Sequence, residues 1–77
     1  MIKRYVNFGT INLSKVAQIS NLRHRPWNNN ERYLEFEIYF ESIKIHFQKH
    51  FESDLDIDFN DYQVEYEQLI ADCLNEK

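Results

Sequence analysis

The residue types and spacing that most resemble a chemical site lie between Asp54 and Glu65. Counted from Asp54, side chains with oxygen atoms fall at positions 1, 3, 5, 7 and 12, which is the spacing of a calcium-binding EF-hand loop. Position 6 is Phe59, where that loop needs glycine for its sharp turn, and the preceding residues have the pattern of a strand rather than a helix. The segment therefore favours a structural interpretation, with aspartates facing solvent and apolar residues facing the core, over calcium binding.

The sequence offers no other recognisable metal, cofactor or catalytic motif. Its three histidines and one cysteine are His24, His46, His50 and Cys73. No pair of them has zinc-finger spacing, no serine, threonine or cysteine lies in a nucleophile motif, and a single glycine leaves no phosphate-binding loop. Glu35 and Glu37 have the pattern of the solvated face of an ordinary strand. We therefore expect a protein without a cofactor, a metal ion or enzymatic activity.

The segment from residue 23 to residue 32 is the stretch most typical of a binding surface. Arginines beside an aromatic ring suit phosphate contact with base stacking, and they equally suit an acidic protein surface. A third interpretation is a solvated hairpin end whose Trp27 folds back onto the core. Because the chain is acidic overall, a protein partner is favoured over nucleic acid. The predicted contact residues of this segment are Arg23, Arg25, Trp27, Asn29 and Arg32.

The net charge of −4 is distributed unevenly along the chain. Residues 1–30 carry +5, residues 31–50 carry −1 and residues 51–77 carry −8, which together give −4. Such asymmetry bears on partners and on the steering of association rather than on the fold. The acidic segment supplies a second set of predicted contact residues: Asp54, Asp56, Asp58 and Asp61.

Strict alternation predicts a half-buried strand over residues 32–40. Leu34, Phe36, Ile38 and Phe40 would share the core face. Tyr33 and Tyr39 would lie on the opposite face and add two more candidate contact residues. The pattern resumes over residues 43–47 with opposite parity, which predicts a hairpin turn at Glu41 and Ser42 in preference to a bulge.

The remaining elements are predicted from weaker signals. Residues 2–8 have a moderate strand pattern in which Ile2, Val6 and Phe8 share a face, and residues 16–25 form a second strand that ends at Pro26. Residues 26–30 form a turn or loop.

An apolar stripe at three- and four-residue spacing predicts a C-terminal helix, with Asn60 as its N-cap. The stripe comprises Tyr62, Tyr66, Leu69, Ile70, Cys73 and Leu74. The predicted fold is an α+β domain over residues 1–77, with an antiparallel meander of three to four strands and one C-terminal helix packed on a face of the sheet.

Composition limits the protein to one small domain. The 77 residues leave no room for a second core, and the hydrophobic content of 43% supports folding. A lone cysteine allows no intramolecular disulfide, so we expect a reducing cytoplasm. The start of the sequence lacks the pattern of a signal peptide, and no apolar run approaches the ~18 residues of a membrane span.

These features favour a non-catalytic protein-interaction module, such as a regulator, or a phage or mobile-element inhibitor, of a larger nucleic-acid-handling protein machine. One alternative is a nucleic-acid-binding protein that uses the loop between Arg23 and Arg32. The other is a structural protein that forms homo-oligomers through its sheet edges.

Overall fold

The computed structural model describes residues 1–28, 31–52 and 57–76, with residues 27 and 28 described only in their backbone. The strands are β1 (Ile2–Tyr5), β2 (Gly9–Asn12), β3 (Val16–Ile19), β4 (Arg23–Asn28), β5 (Glu31–Phe40) and β6 (Lys44–Phe51). A 3-10 helix (Leu13–Lys15) joins β2 to β3, and the C-terminal helix α1 spans Ile57–Glu76.

The main sheet is built around β5. Strand β6 pairs along one edge of β5, while β3 and β4 share the other edge, and every pairing is antiparallel. Helix α1 packs on one face of this sheet, which confirms the predicted α+β class and the C-terminal helix. Strands β1 and β2 form a separate two-stranded sheet, which the sequence interpretation did not separate from the meander.

The alternation in β5 is confirmed. Leu34, Phe36 and Ile38 are buried on the face toward α1. The predicted hairpin is confirmed as well, because the Phe40 N–H donates to the Ile43 carbonyl oxygen at 2.8 Å. Strong period-2 patterning defined this hairpin even though Glu-Ser is poor turn chemistry.

Aromatic rings fill the space between β5 and α1. The ring of Phe36 lies 5.0 Å from that of Phe8 and 4.9 Å from that of Tyr66, both in edge-to-face geometry. Phe8 also meets Tyr62 at 5.1 Å. Burial raises the pKa of Tyr62 to about 12. Such rings give a short chain enough buried apolar area for a core.

The predicted strand over residues 2–8 is wrong in extent and in its buried face. β1 ends at Tyr5, and the chain turns into β2 at Gly9, which adopts a φ of +75° that favours glycine. Val6 is 93% exposed in this turn, whereas Tyr5 and Phe8 are buried. The turn interrupts the alternation of buried and exposed side chains, so one of these two buried residues is odd-numbered (Tyr5) and the other is even-numbered (Phe8).

The predicted strand over residues 16–25 is divided in two, and Pro26 does not end it. β3 stops at Ile19 and β4 runs through Pro26 to Asn28, with a register shift between Pro26 and Asn28. Backbone hydrogen-bonding groups alternate in direction along a strand. Arg25 is hydrogen-bonded to Tyr33, so the backbone groups of the next residue, Pro26, point away from β5. An edge strand tolerates proline there because no ladder hydrogen bond is lost.

Helix α1 begins earlier than predicted. Asn60 lies inside the helix rather than at its N-cap. Tyr62, Leu69 and Cys73 of the predicted stripe are buried, together with Phe59, but Leu74 is 68% exposed. No helix among the described residues is long and apolar enough to cross a membrane.

Ionic contacts join the β1–β2 hairpin to α1. The Lys3 ammonium lies 2.6 Å from a carboxylate oxygen of Asp72, and the Tyr5 hydroxyl donates to the same oxygen at 2.7 Å. Glu65 accepts hydrogen bonds from the backbone N–H groups of Val6 and Asn7, each at 2.7 Å. Part of the charge asymmetry along the chain is therefore satisfied within the molecule.

Stability should fall at acid pH as Asp72 becomes protonated. Lys3 and Tyr5 hold its pKa at about 2, below the ordinary value of 3.8. A lowered folded-state pKa contributes stability above pH ~4 that is lost as the pH falls toward ~2. We expect Asp72→Asn to cost about 1–2 kcal/mol at pH 7, a value discounted because Lys3 is partly exposed. Urea unfolding at a series of pH values measures this.

An exposed carboxylate provides the matched control. Glu67→Gln should leave the unfolding midpoint nearly unchanged at every pH, because Glu67 is exposed on α1. A gap between wild type and Asp72→Asn that stays constant from pH 7 to pH 2 would contradict the ionic explanation.

Candidate interaction surface

The side of the main sheet that faces away from α1 gathers most of the described candidate residues. Residues that lie directly opposite one another in paired strands have their side chains on the same face of the sheet. The side chains of odd-numbered β5 residues therefore lie on this side beside those of their β4 and β6 partners. We call this surface the outer face. Its members are Arg23, Arg25, Tyr33, Glu35, Glu37, Tyr39, Lys44, His46, Gln48 and His50.

Two arginines and two glutamates form a network at the centre of the outer face. Arg23 Nε lies 3.1 Å from Glu35 Oε1, and Arg23 Nη2 contacts Glu37 Oε2. Arg25 Nε lies 3.2 Å from Glu35 Oε1. Hydrogen bonds from Arg23 lower the pKa of both carboxyl groups, so they stay ionised well below neutral pH.

Glu37 is not the solvated carboxylate that its alternating position suggests. Only 9% of the residue is exposed. Its Oε1 lies 3.2 Å from Ser20 Oγ, its backbone N–H donates to the same Oγ at 2.7 Å, and its carbonyl oxygen accepts from the Ser20 N–H at 2.9 Å. Ser20, the residue directly after β3, therefore contacts this glutamate through both its backbone and its side chain. A contact between residues so far apart in sequence leaves no signal in a local pattern.

His46 of β6 completes the network from the other edge of β5. Its Nε2 lies 3.2 Å from Glu35 Oε2 and 3.8 Å from Glu37 Oε2. Sequence reasoning weighed His46 only as a metal ligand. The signal that would have found this contact is the hairpin register, which places His46 opposite Glu37.

The two tyrosines lie toward opposite ends of the outer face and are half-buried. The Tyr33 ring is 5.4 Å from the His50 ring. The Lys44 ammonium lies 6.0 Å from the centroid of the Tyr39 ring. Both tyrosines therefore pack against β6 side chains and still present part of their surface to solvent, a combination common in protein interfaces.

The other candidate residues do not join this surface. Arg32 pairs with Phe51 and Pro26 on the side of the sheet that faces α1, so it is separated from Arg23. Asp58 and Asp61 are exposed on α1, across the sheet from the outer face. Outside the described residues lie Asn29, Asp54, Asp56 and the side chain of Trp27. The structure thus divides the predicted contact residues between two sides of the molecule.

Two of the five positions of the calcium-like spacing, Asp54 and Asp56, lie outside the described residues. Within them, Phe59 is buried in α1 and packs against Phe51 and His24, with ring centroids 5.3 Å apart in each case. Glu65 is held by the backbone of the β1–β2 turn. In the described parts of the chain, no group of three or more His, Cys, Asp or Glu side chains is arranged to hold a metal ion.

The chain was also compared with known proteins. No protein-family model matches it, and no curated protein and no solved structure matches it either.

Proposed function

We propose that this chain is a small non-catalytic protein-interaction module, such as a regulator or inhibitor of a larger assembly, and that it contacts its partner through the outer face. The observation that supports the proposal is that this face is partly exposed to solvent while Arg23 and Arg25 are already paired with Glu35 and Glu37. Arg25 and His46 remain about half exposed, at 52% and 48% of their side chains. Contacts with Glu35 formed in advance hold these side chains in place, which reduces the entropy lost on binding.

The same network favours a protein partner over nucleic acid. A phosphate backbone attracts cations that are available to replace its counterions. Arg23 and Arg25 are instead bound to Glu35 and Glu37, so a phosphate would compete with two carboxylates. Mixed charge beside tyrosine and arginine is typical of protein interfaces, in which these residues often dominate the binding energy.

Site-specific cross-linking tests the proposal. A photoreactive phenylalanine analogue at Tyr39 conserves an aromatic ring on the outer face and should cross-link a protein in lysate of the native host, with or without nuclease. The same analogue at Val64, which is 56% exposed on α1, is the matched control. Cross-links of equal yield from both positions, or a product lost after nuclease treatment, would contradict the proposal.

A further inference from the structure

Strand β6 is a long and regular sheet edge. It pairs with β5 over residues 44–51 without a register shift. Six of its eight residues are exposed. Among the described residues, β5 is its only strand partner. Natural proteins usually protect such an edge with proline, a bulge, a short length or charged side chains such as lysine. Of these devices β6 has only the lysines, Lys44 and Lys49.

The hydrogen-bond pattern identifies the backbone groups that face outward. Phe40 and Ile43 are a hydrogen-bonded pair, and backbone groups alternate in direction along the ladder. The backbone N–H and carbonyl groups of Ile45, Phe47 and the later odd-numbered β6 residues therefore point toward β5. The N–H and carbonyl groups that point away from the sheet are those of Lys44, His46, Gln48 and His50. An incoming strand would bond to Lys44, His46 and Gln48.

The side chains along this edge carry one sign of charge. Residues 44–51 include Lys44, Lys49 and two histidines, and no aspartate or glutamate. Pairing β6 with β6 of a second copy would bring two edges of the same net charge together, which is unfavourable. An acidic strand would instead be attracted.

The two faces of β6 specify the pattern of such a strand. On the outer face, its side chains would lie beside Lys44 and His46. On the other face, the side chains of the incoming strand would lie beside Ile45 and close to Ile43. These two isoleucines are 40% and 58% exposed. A segment that alternates acidic and β-branched apolar residues satisfies both faces.

We propose that the outward edge of β6, at Lys44, His46 and Gln48, binds an extended acidic segment of a partner protein, which adds to the sheet as a further strand. The proposal rests on the proposed function, because it specifies the partner as a protein and gives its chemistry. Backbone hydrogen bonds supply affinity in this mode of recognition, and alternate side chains supply selectivity.

A peptide titration of the full chain tests the edge directly. The probe is a capped peptide as long as β6 that alternates glutamate and valine, added to ¹⁵N-labelled protein. We expect chemical-shift changes and slower amide exchange at Lys44, His46 and Gln48, with the amides of α1 unchanged. Lys44→Glu should weaken binding about tenfold, whereas Lys15→Glu, an exposed lysine in the 3-10 helix, should not.

Three outcomes would overturn the proposal. The first is equal binding of a peptide with lysine in place of glutamate, and the second is equal binding of a peptide N-methylated at alternate residues. The third is concentration-dependent protection of the same three amides without peptide, which would indicate a second copy instead. A protein cross-linked from Tyr39 while the peptide leaves β6 unchanged would also overturn the edge proposal, yet it would leave the proposed function standing. Peptide binding at β6 without any cross-linked protein would instead count against the proposed function.

Discussion

Phe36→Ala is expected to lower the free energy of unfolding by about 3–5 kcal/mol. Phe36 is fully buried, and its ring contacts the rings of Phe47 at 5.2 Å and Tyr66 at 4.9 Å. It connects β5 to β6 and to α1, so its removal opens a cavity where three elements meet. A chain of this length has a total stability of roughly 4–12 kcal/mol, so this loss removes between about a quarter of the total and all of it.

Urea unfolding followed by circular dichroism measures this loss. Phe36→Leu keeps most of the volume and should cost less than Phe36→Ala, which keeps the comparison measurable where the alanine variant does not fold. Val64→Ala is the surface control and should change stability by about 0.5 kcal/mol or less, since Val64 is 56% exposed. A loss below ~1 kcal/mol for Phe36→Ala would show that the aromatic cluster is not the core.

The part of the fold around β5 was predictable because one physical constraint acts along it without interruption. A strand that packs one face on the core must place its apolar side chains at alternate positions, and Leu34, Phe36 and Ile38 do so through the middle of β5. The helix was predictable for the same reason, since its buried side repeats at helical spacing. Its start was not predictable, because Asn60 is a good cap by residue type yet lies within the helix.

Elements fixed by distant contacts were not predictable from local patterns. The end of β1 depends on Glu65, whose carboxylate accepts from the Val6 and Asn7 N–H groups 58–59 residues away in sequence. Pro26 remains in β4 because β4 is an edge strand, and its edge position is set by β5. A local reading of proline as a strand end assumes a central strand, which is why that prediction failed.

The candidate surface was predictable in part. Arg23, Arg25, Tyr33 and Tyr39 were singled out by residue type, and the register places all four on one face. Their pairing with Glu35 and Glu37 was missed, because these glutamates follow the same alternation as any solvated strand face. Burial of Glu37 comes from Ser20 and Arg23, which only the folded chain brings next to it.

Glu37→Ala is expected to lower the free energy of unfolding by about 2 kcal/mol at pH 7. The change removes a nearly buried carboxylate that Arg23 and Ser20 contact. Losses of 3–5 kcal/mol accompany the breaking of fully buried pairs, and the value here is smaller because Arg23 keeps Glu35 as a partner. Glu67→Ala, which truncates an exposed glutamate on α1, should change stability by less than about 0.5 kcal/mol.

The pH dependence distinguishes a lost ionic contact from lost packing. Arg23 holds the pKa of Glu37 below its ordinary value of 4.5, so the wild-type contact contributes fully above that pH and is lost as the pH falls through the lowered pKa. The stability difference between wild type and Glu37→Ala should therefore shrink in acid, whereas a packing defect would persist. Chemical unfolding of both proteins from pH 7 to pH 3 measures it. A difference that stays constant over this range would assign Glu37 a packing role and remove the reason to regard the charges of the outer face as fixed in advance of binding.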